Sequence, residues 1–271
     1  KPFKLFCRTL IMSQKIFVLE QKIVEQISLL KEKFGLLAIK AEFESEGASF
    51  RDLVRLRRLT TQQNIPLYLK IGGVEALRDL KDAFDLGVDG LIAPMVESPF
   101  GVIKFTSSLD SIFGKRKLFI SINIETQNAI SNIDAILKVS QEKVNNITIG
   151  RTDLSRSYLD SSIQPDSPFI FNLIEQLSTK VSASGLTFTI GGSLTLDSIK
   201  LLQNRKEKLD KRITSIETRK VILSGDKMLA DKDALKESIY FEELYLKYKL
   251  ECESWFSEID QQRLKKLKMR L

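Results

Sequence analysis

The feature that most limits the fold of this chain is a recurrence. About every 30 residues, the length of a βαβ unit, a short apolar and β-branched run gives way to an amphipathic stretch. Such runs lie at 36–44, 66–73, 90–98, 118–125, 146–153 and 186–193, with a further one inside 212–224. Strands joined by right-handed helical crossovers fit this alternation. The expected class is α/β, a (β/α)₈ TIM-type barrel with a C-terminal helical extension. The chain length of 271 residues suits one such barrel. Seven runs read clearly as strands, and the eighth is either the 3–11 segment or lies elsewhere. A barrel is preferred to an open sheet because chemically useful residues end many different runs, as a barrel mouth requires.

Two run ends stand out. Strand interiors disfavour Asp and Glu, yet 118–125 finishes in Glu125 and 146–153 in Asp153. If both runs are parallel strands with a helix between them, the two acids emerge at the same end of the sheet, where ligands bind. This predicts a divalent-metal site at a barrel mouth. Lys40, Glu42 and Glu44 share one face of the first run by the two-residue period, which crowds ionisable groups at the same mouth. Lys70 precedes the pair Gly72 and Gly73 and is the natural cation for a substrate carboxylate or enolate oxygen.

Histidine is absent from the sequence and cysteine occurs twice. This excludes Ser-His-Asp and Cys-His catalysis, an imidazole base and His- or thiolate-held zinc. A metal here must be held by oxygen, which favours Mg²⁺, Mn²⁺ or Ca²⁺. The formal charge of +7 suits anionic partners. Much of the excess sits at the two ends, without the basic-aromatic interleaving of single-strand binders, so a small anionic substrate is expected rather than nucleic acid. No run approaches the roughly 18 apolar residues of a membrane span, and no signal-peptide pattern is obvious. A cytoplasmic protein without membrane contact is expected.

The chain divides into a segment 1–13, a barrel 14–233 and an extension 234–271. The first reads as an edge strand or as sequence preceding a start at Met12. Ile16, Leu19, Ile23, Ile27 and Leu30 then recur at helical spacing, and Gly35 ends that helix. The charged stretch 204–212 reads as a solvated loop. In the extension, Leu235, Ile239, Leu246 and Leu250 form an apolar helix face. It is expected to pack on the barrel or to dock on a second copy in a homo-oligomer, the second role being preferred.

Four stretches together resemble the HpcH/HpaI aldolase and citrate-lyase β-subunit family of pyruvate/phosphoenolpyruvate-binding barrels: Lys40-Ala-Glu-Phe-Glu, Ala93-Pro-Met-Val-Glu-Ser, Asn123-Ile-Glu-Thr and Gly150-Arg-Thr-Asp-Leu-Ser. The resemblance covers about residues 14–225 by the order and spacing of these motifs. It implies a Mg²⁺ or Mn²⁺ ion on Glu125 and Asp153 that chelates a 2-oxo acid, with Gly150, Arg151 and Thr152 beside the substrate. It also implies carbon–carbon lyase or aldolase chemistry, since a divalent cation stabilises an enolate. The substrate expected is a hydroxy-oxo acid or a sugar-derived 2-oxo acid, whose aldehyde half the sequence does not specify.

Departures from the family pattern are specific. Lys70 stands where the family has an arginine, so bidentate geometry is lost. Phe43 stands where the aldolases have their histidine base, and Lys40 where an acid is common. Proton transfer then falls to Glu42, to Lys40 or to metal-bound water. Three alternatives remain open at this point: a Schiff base on Lys40 or Lys70, an acyl-CoA lyase of citrate-lyase type, and a barrel retained as a binding or assembly module.

Overall fold

A computed structural model describes residues 2–209 and 212–270, with side chains described from residue 14 onward except at 206. The strands are β1 Leu36–Glu42, β2 Leu67–Lys70, β3 Gly90–Ala93, β4 Phe119–Ile124, β5 Asn146–Gly150, β6 Thr187–Gly191, β7 Ser215–Glu217 and β8 Val221–Ser224. The helices before and between the first strands are α1 Pro2–Phe34, α2 Phe50–Gln62, α3 Leu77–Leu86 and α4 Pro99–Phe113. After β4 come α5 Gln127–Ser131 and α6 Ile133–Ser140, and after β5 come α7 Arg151–Ser157 and α8 Pro168–Ala183. The chain continues with α9 Leu196–Asn204, α10 Lys206–Leu209, α11 Gly225–Ala230 and α12 Lys232–Lys268.

The strands close in sequence order, β1 through β8, into one barrel. Strands β1 to β7 pair in parallel, as the strand–helix alternation predicts. The strand missing from the seven readable runs is β7, Ser215–Glu217, so the 3–11 stretch is not an edge strand but lies within α1. The last strand departs from the repeating unit, because β8 runs antiparallel to both β7 and β1. Only residues 218–220 separate it from β7. A link that short can form a hairpin but not a crossover helix. The inversion carries the hairpin to the mouth of the barrel, where the Lys220 carbonyl accepts the Lys40 N–H at 2.8 Å.

Residues facing out of the barrel are apolar and bury against the helices, among them Ile39, Leu69, Ile122, Ile149, Ile190 and Ile216. The inside differs from the usual layers of branched aliphatics. Asn146 Nδ2 donates to Ser121 Oγ (2.9 Å) and Thr148 Oγ1 (3.0 Å), and its Oδ1 accepts from Thr187 (2.8 Å) and Thr189 (2.9 Å). Thr189 is joined in turn to Ser215 at 2.6 Å. This belt satisfies its own buried polar groups.

The helix ends follow local chemistry. Ser49 caps α2 in a capping box with Asp52, and Ser98 and Ser167 cap α4 and α8 just ahead of prolines. The 204–212 stretch is not simply a solvated loop: it contains α10, whose Leu209 is buried. The tail is one 37-residue helix lying against α1 and β8. Its buried face is Leu235, Ser238, Phe241, Tyr245, Tyr248 and Cys252. Of the four residues expected to form that face, only Leu235 is buried, while Ile239, Leu246 and Leu250 are exposed. The aromatic residues set the phase of the helix because they bury the larger area.

Candidate active site

Two-residue alternation sends Lys40 and Glu42 of β1, Lys70 of β2, Asn123 of β4 and Glu217 of β7 toward the inside, and each is buried. Glu42 is the register partner of Lys70, which sets two opposite charges side by side at the C-terminal rim. Glu125 follows immediately after β4. All six line a cavity of ≈ 430 Å³ together with Glu44, Gly150, Thr152, Asp153, Arg156, Ser193 and Arg219. From the tail helix, Ile239 and Glu242 complete the rim.

The charges are arranged in pairs. Lys40 Nζ lies 2.7 Å from Glu217 Oε1 and 3.4 Å from Glu42 Oε1. Lys70 Nζ lies 2.7 Å from Glu44 Oε2 and 3.8 Å from Glu125 Oε1. Burial alone would lower the Lys40 pKa, but Glu217 and Glu42 outweigh it and hold the ammonium above its ordinary range. Lys70 is raised in the same way, its burial outweighed by Glu125, Glu44 and Glu42. Burial would raise Glu42, but Lys40, a hydrogen bond from Ser45, Lys70 and Arg219 bring it below its usual value. Neither lysine has the depressed pKa that a Schiff-base amine needs.

Glu125 is raised, chiefly by burial, and the charge of nearby Asp153 adds to the effect against Lys70, Met95 and Asn123. Its Oε1 accepts the Met95 N–H at 3.0 Å and its Oε2 accepts from Asn123 Nδ2 at 3.2 Å. Asp153 belongs to α7, the short helix that starts directly after β5, not to a strand end. Three observations fit an oxygen-bound divalent cation here. Glu125 and Asp153 both line the cavity, and the charge of Asp153 disfavours ionised Glu125. Asn123 Oδ1 beside them is buried with no hydrogen-bond partner. A Cβ at Gly150 would run into the Glu125 carboxylate, so the glycine is what leaves that carboxylate its place. Among the described residues no three acidic or cysteine side chains converge as a complete ligand set, so Glu125 and Asp153 would leave several positions to water and substrate.

The remaining expected residues separate. Gly150 and Thr152 line the cavity, but Arg151 does not. Its guanidinium is fully buried and turned into the protein, with Nη1 2.5 Å from Asp166 Oδ1, Nη2 2.6 Å from Gly192 O and Nε 3.2 Å from Gly191 O. It fastens the loop after β6 to α7 instead of meeting substrate. At Gly192, whose φ is +85°, any Cβ would collide with the Thr152 and Arg151 amides, which explains the glycine. Phe43 packs against the hydrophobic core and does not plug the cavity.

Several lining residues were not legible as such. Glu217 sits in a three-residue strand, too short for its alternation to register. Arg219 enters through the hairpin, 3.8 Å from Glu42 Oε2, and Glu242 through the tail helix. Asn123 had a usable signal, since it lies two residues before Glu125 and so on the same strand face.

Residues 71–191 match the model of the HpcH/HpaI aldolase/citrate lyase family. The fold is shared with an HpcH/HpaI aldolase from Desulfitobacterium hafniense DCB-2, at 17% identity over 74% of this chain and 80% of that one, with a TM-score of 0.56. A citrate lyase from Burkholderia xenovorans LB400 is similar at 10% identity over 78% and 72% of the two chains, TM-score 0.56. The citrate synthase SbnG is similar at 18% identity over 70% and 78%, TM-score 0.53. No functionally curated protein matches the sequence. No helix among the described residues is long and apolar enough to cross a membrane.

Proposed function

We propose that this barrel is a carbon–carbon lyase of the aldolase/citrate lyase type acting on a 2-oxo acid. The observation that carries the reading is the convergence of Lys70, Glu125 and Asp153 on one cavity at the C-terminal mouth, with Glu125 and Asp153 inside the segment that matches the family model and Lys70 directly before it. A Mg²⁺ or Mn²⁺ ion held by Glu125 and Asp153 would supply stabilisation of the negative charge that develops on the keto oxygen.

The protein's own residues divide the remaining work. Lys70 stays protonated and places a fixed positive charge beside Glu125, where a pyruvyl oxygen can accept from it. Lys40 also stays protonated, so it can donate a hydrogen bond but cannot attack as an amine. Glu42 is held ionised and is the acceptor of the pair. In the cleavage direction Glu42 takes the proton of the substrate's C4 hydroxyl as the C3–C4 bond breaks. An aldehyde leaves, and the same proton is returned to C3 of the pyruvate enolate. This assigns to a carboxylate the task for which the sequence has no histidine.

One observation favours a second reading, a barrel that binds 2-oxo acids without turning them over. Lys40 and Lys70 are each already matched by protein carboxylates, and Glu42 is held below its usual value by Lys40 and its other neighbours against the effect of burial, which makes it a weak base. Pyruvate release from a panel of 4-hydroxy-2-oxo acids, with Mg²⁺, Mn²⁺ or EDTA, separates the two. The lyase reading expects metal-dependent release, abolished in Glu125→Gln and Asp153→Asn. Release that survives both substitutions would end the metal-assisted mechanism, and oxalate binding without release would support the second reading.

A further inference from the structure

The cavity at the mouth does not stand alone. A second one of ≈ 600 Å³ adjoins it, lined by Thr152, Ser155, Arg156, Gln164, Ser193 and Thr195 among others. Thr152, Arg156 and Ser193 belong to the walls of both. Thr152 Oγ1 and Ser193 Oγ are joined at 2.8 Å, so these two side chains form the low ridge between the chambers. Ser193 holds the ridge in the left-handed region at φ 46°, directly after Gly192, a conformation that a serine adopts only when its surroundings enforce it.

The cations of the mouth differ in one respect. Lys40, Lys70 and Arg219 each lie within ion-pair distance of a protein carboxylate. Arg156 lies one helical turn beyond Asp153 on α7 and is exposed, and no carboxylate among the described residues pairs with it. Of the acids of the second chamber, Asp166 is charge-paired with Arg151 and accepts from Ser198. Asp160 accepts from the Ser162 N–H and hydroxyl and keeps its charge in the lining. Arg156 is the cation common to both chambers, with hydroxyl and amide side chains about it.

We infer that Arg156 is the specificity-determining residue for the far half of the substrate. That half crosses the Thr152–Ser193 ridge into the second chamber and carries an anionic group, carboxylate or phosphate, which the guanidinium receives. Planar paired donors suit either oxyanion, and the hydroxyl-lined walls suit a hydroxylated chain between the two ends. The inference rests on the lyase reading for the identity of the near half, a 2-oxo acid, but its geometry is that of the two chambers alone.

The test is a binding measurement that requires no turnover. Calorimetric titration with 2-oxoadipate, 2-oxohexanoate and oxalate, in the presence of Mg²⁺, is compared between the wild type and Arg156→Gln. A matched phosphate-terminated 2-oxo acid distinguishes the two oxyanions. The expected result is that 2-oxoadipate or the phosphate-terminated acid binds at least tenfold more tightly than 2-oxohexanoate, and that Arg156→Gln removes this preference while leaving oxalate affinity within twofold. Equal affinity for charged and uncharged chains, or a preference unchanged in Arg156→Gln, overturns the assignment. Failure of oxalate to bind, by contrast, counts against the 2-oxo acid reading of the mouth, and the charged-chain preference and its loss in Arg156→Gln are scored separately from it.

Discussion

Lys40 Nζ donates to Glu217 Oε1 at 2.7 Å, although their strands are separated in the sheet by β8. The pair is buried, and Glu42 lies close to the same ammonium. Such a pair gains little over an apolar replacement, but removing one partner leaves an uncompensated charge in a dry site. Lys40→Met is therefore expected to cost about 3–5 kcal/mol, read from the urea midpoint at constant m-value. The double variant Lys40→Met/Glu217→Gln should recover part of that loss. A double variant as unstable as the sum of its singles would show that the two side chains do not act as a pair.

Glu42 gives the acid limb of stability a definite sign. Its folded pKa is below the unfolded value, because Lys40, Ser45, Lys70 and Arg219 together outweigh the effect of burial. A carboxyl lowered in this way contributes stability that is fully present above its unfolded pKa and is lost as pH falls through the folded one. The protein should thus lose stability below about pH 4.5, with a steeper loss than Glu42→Gln shows over the same range. Melting temperatures from pH 6 down to pH 3 for the two proteins check this, and parallel profiles would remove Glu42 from the account.

How much of this was readable in advance follows from which interactions are periodic. The β-branched runs carried the barrel, because outward-facing residues such as Ile122, Ile149 and Ile190 must bury against helices whatever else the strand does. The two-residue period puts Lys40 and Glu42 on one strand face, the positions of Glu125 and Lys70 at strand ends put them at the same mouth, and the cavity is lined by all four. The inverted β8 was not legible, because its strand signal is the same in either direction and only the three-residue link to β7 excludes a crossover. Arg151 was placed beside substrate by its position in a motif. Its side chain instead meets Asp166 and the carbonyls of Gly191 and Gly192, which are contacts between distant parts of the chain that no local pattern encodes. The tail helix was phased on Leu and Ile, whereas Phe241, Tyr245 and Tyr248 take the buried side.

Gly150 offers a direct test of the metal site. A Cβ there would overlap the Glu125 carboxylate, and at Gly191 it would press on Glu217 Cγ at 2.9 Å. Gly150→Ala should displace Glu125 and weaken Mn²⁺ binding by about 10–100-fold, the range seen when groups that orient metal ligands are altered. Gly191→Ala should instead disturb the Lys40–Glu217 pair and lower stability, with a smaller effect on Mn²⁺. Electron paramagnetic resonance titration of free Mn²⁺ measures the first, and urea unfolding the second. Equal Mn²⁺ affinity in wild type and Gly150→Ala would place the ion, if it binds, away from Glu125.

The phase of the tail helix can be tested by two truncations of comparable chemistry. Phe241 is 0% exposed and packs in the core, whereas Leu250, about two and a half turns further along α12, is 63% exposed. Removing a fully buried ring forfeits its transfer free energy and leaves a cavity, so Phe241→Ala should cost about 3–5 kcal/mol. Leu250→Ala removes a side chain that water already reaches, so it should stay within about 0.5 kcal/mol of wild type. Chemical denaturation at low protein concentration measures both against the same baseline. Repeating the Leu250→Ala measurement at a protein concentration a hundredfold higher adds a second readout. If a second copy covers that exposed face, the wild type alone gains stability with concentration, and a midpoint independent of concentration in both proteins would show that the outer face of α12 is solvated.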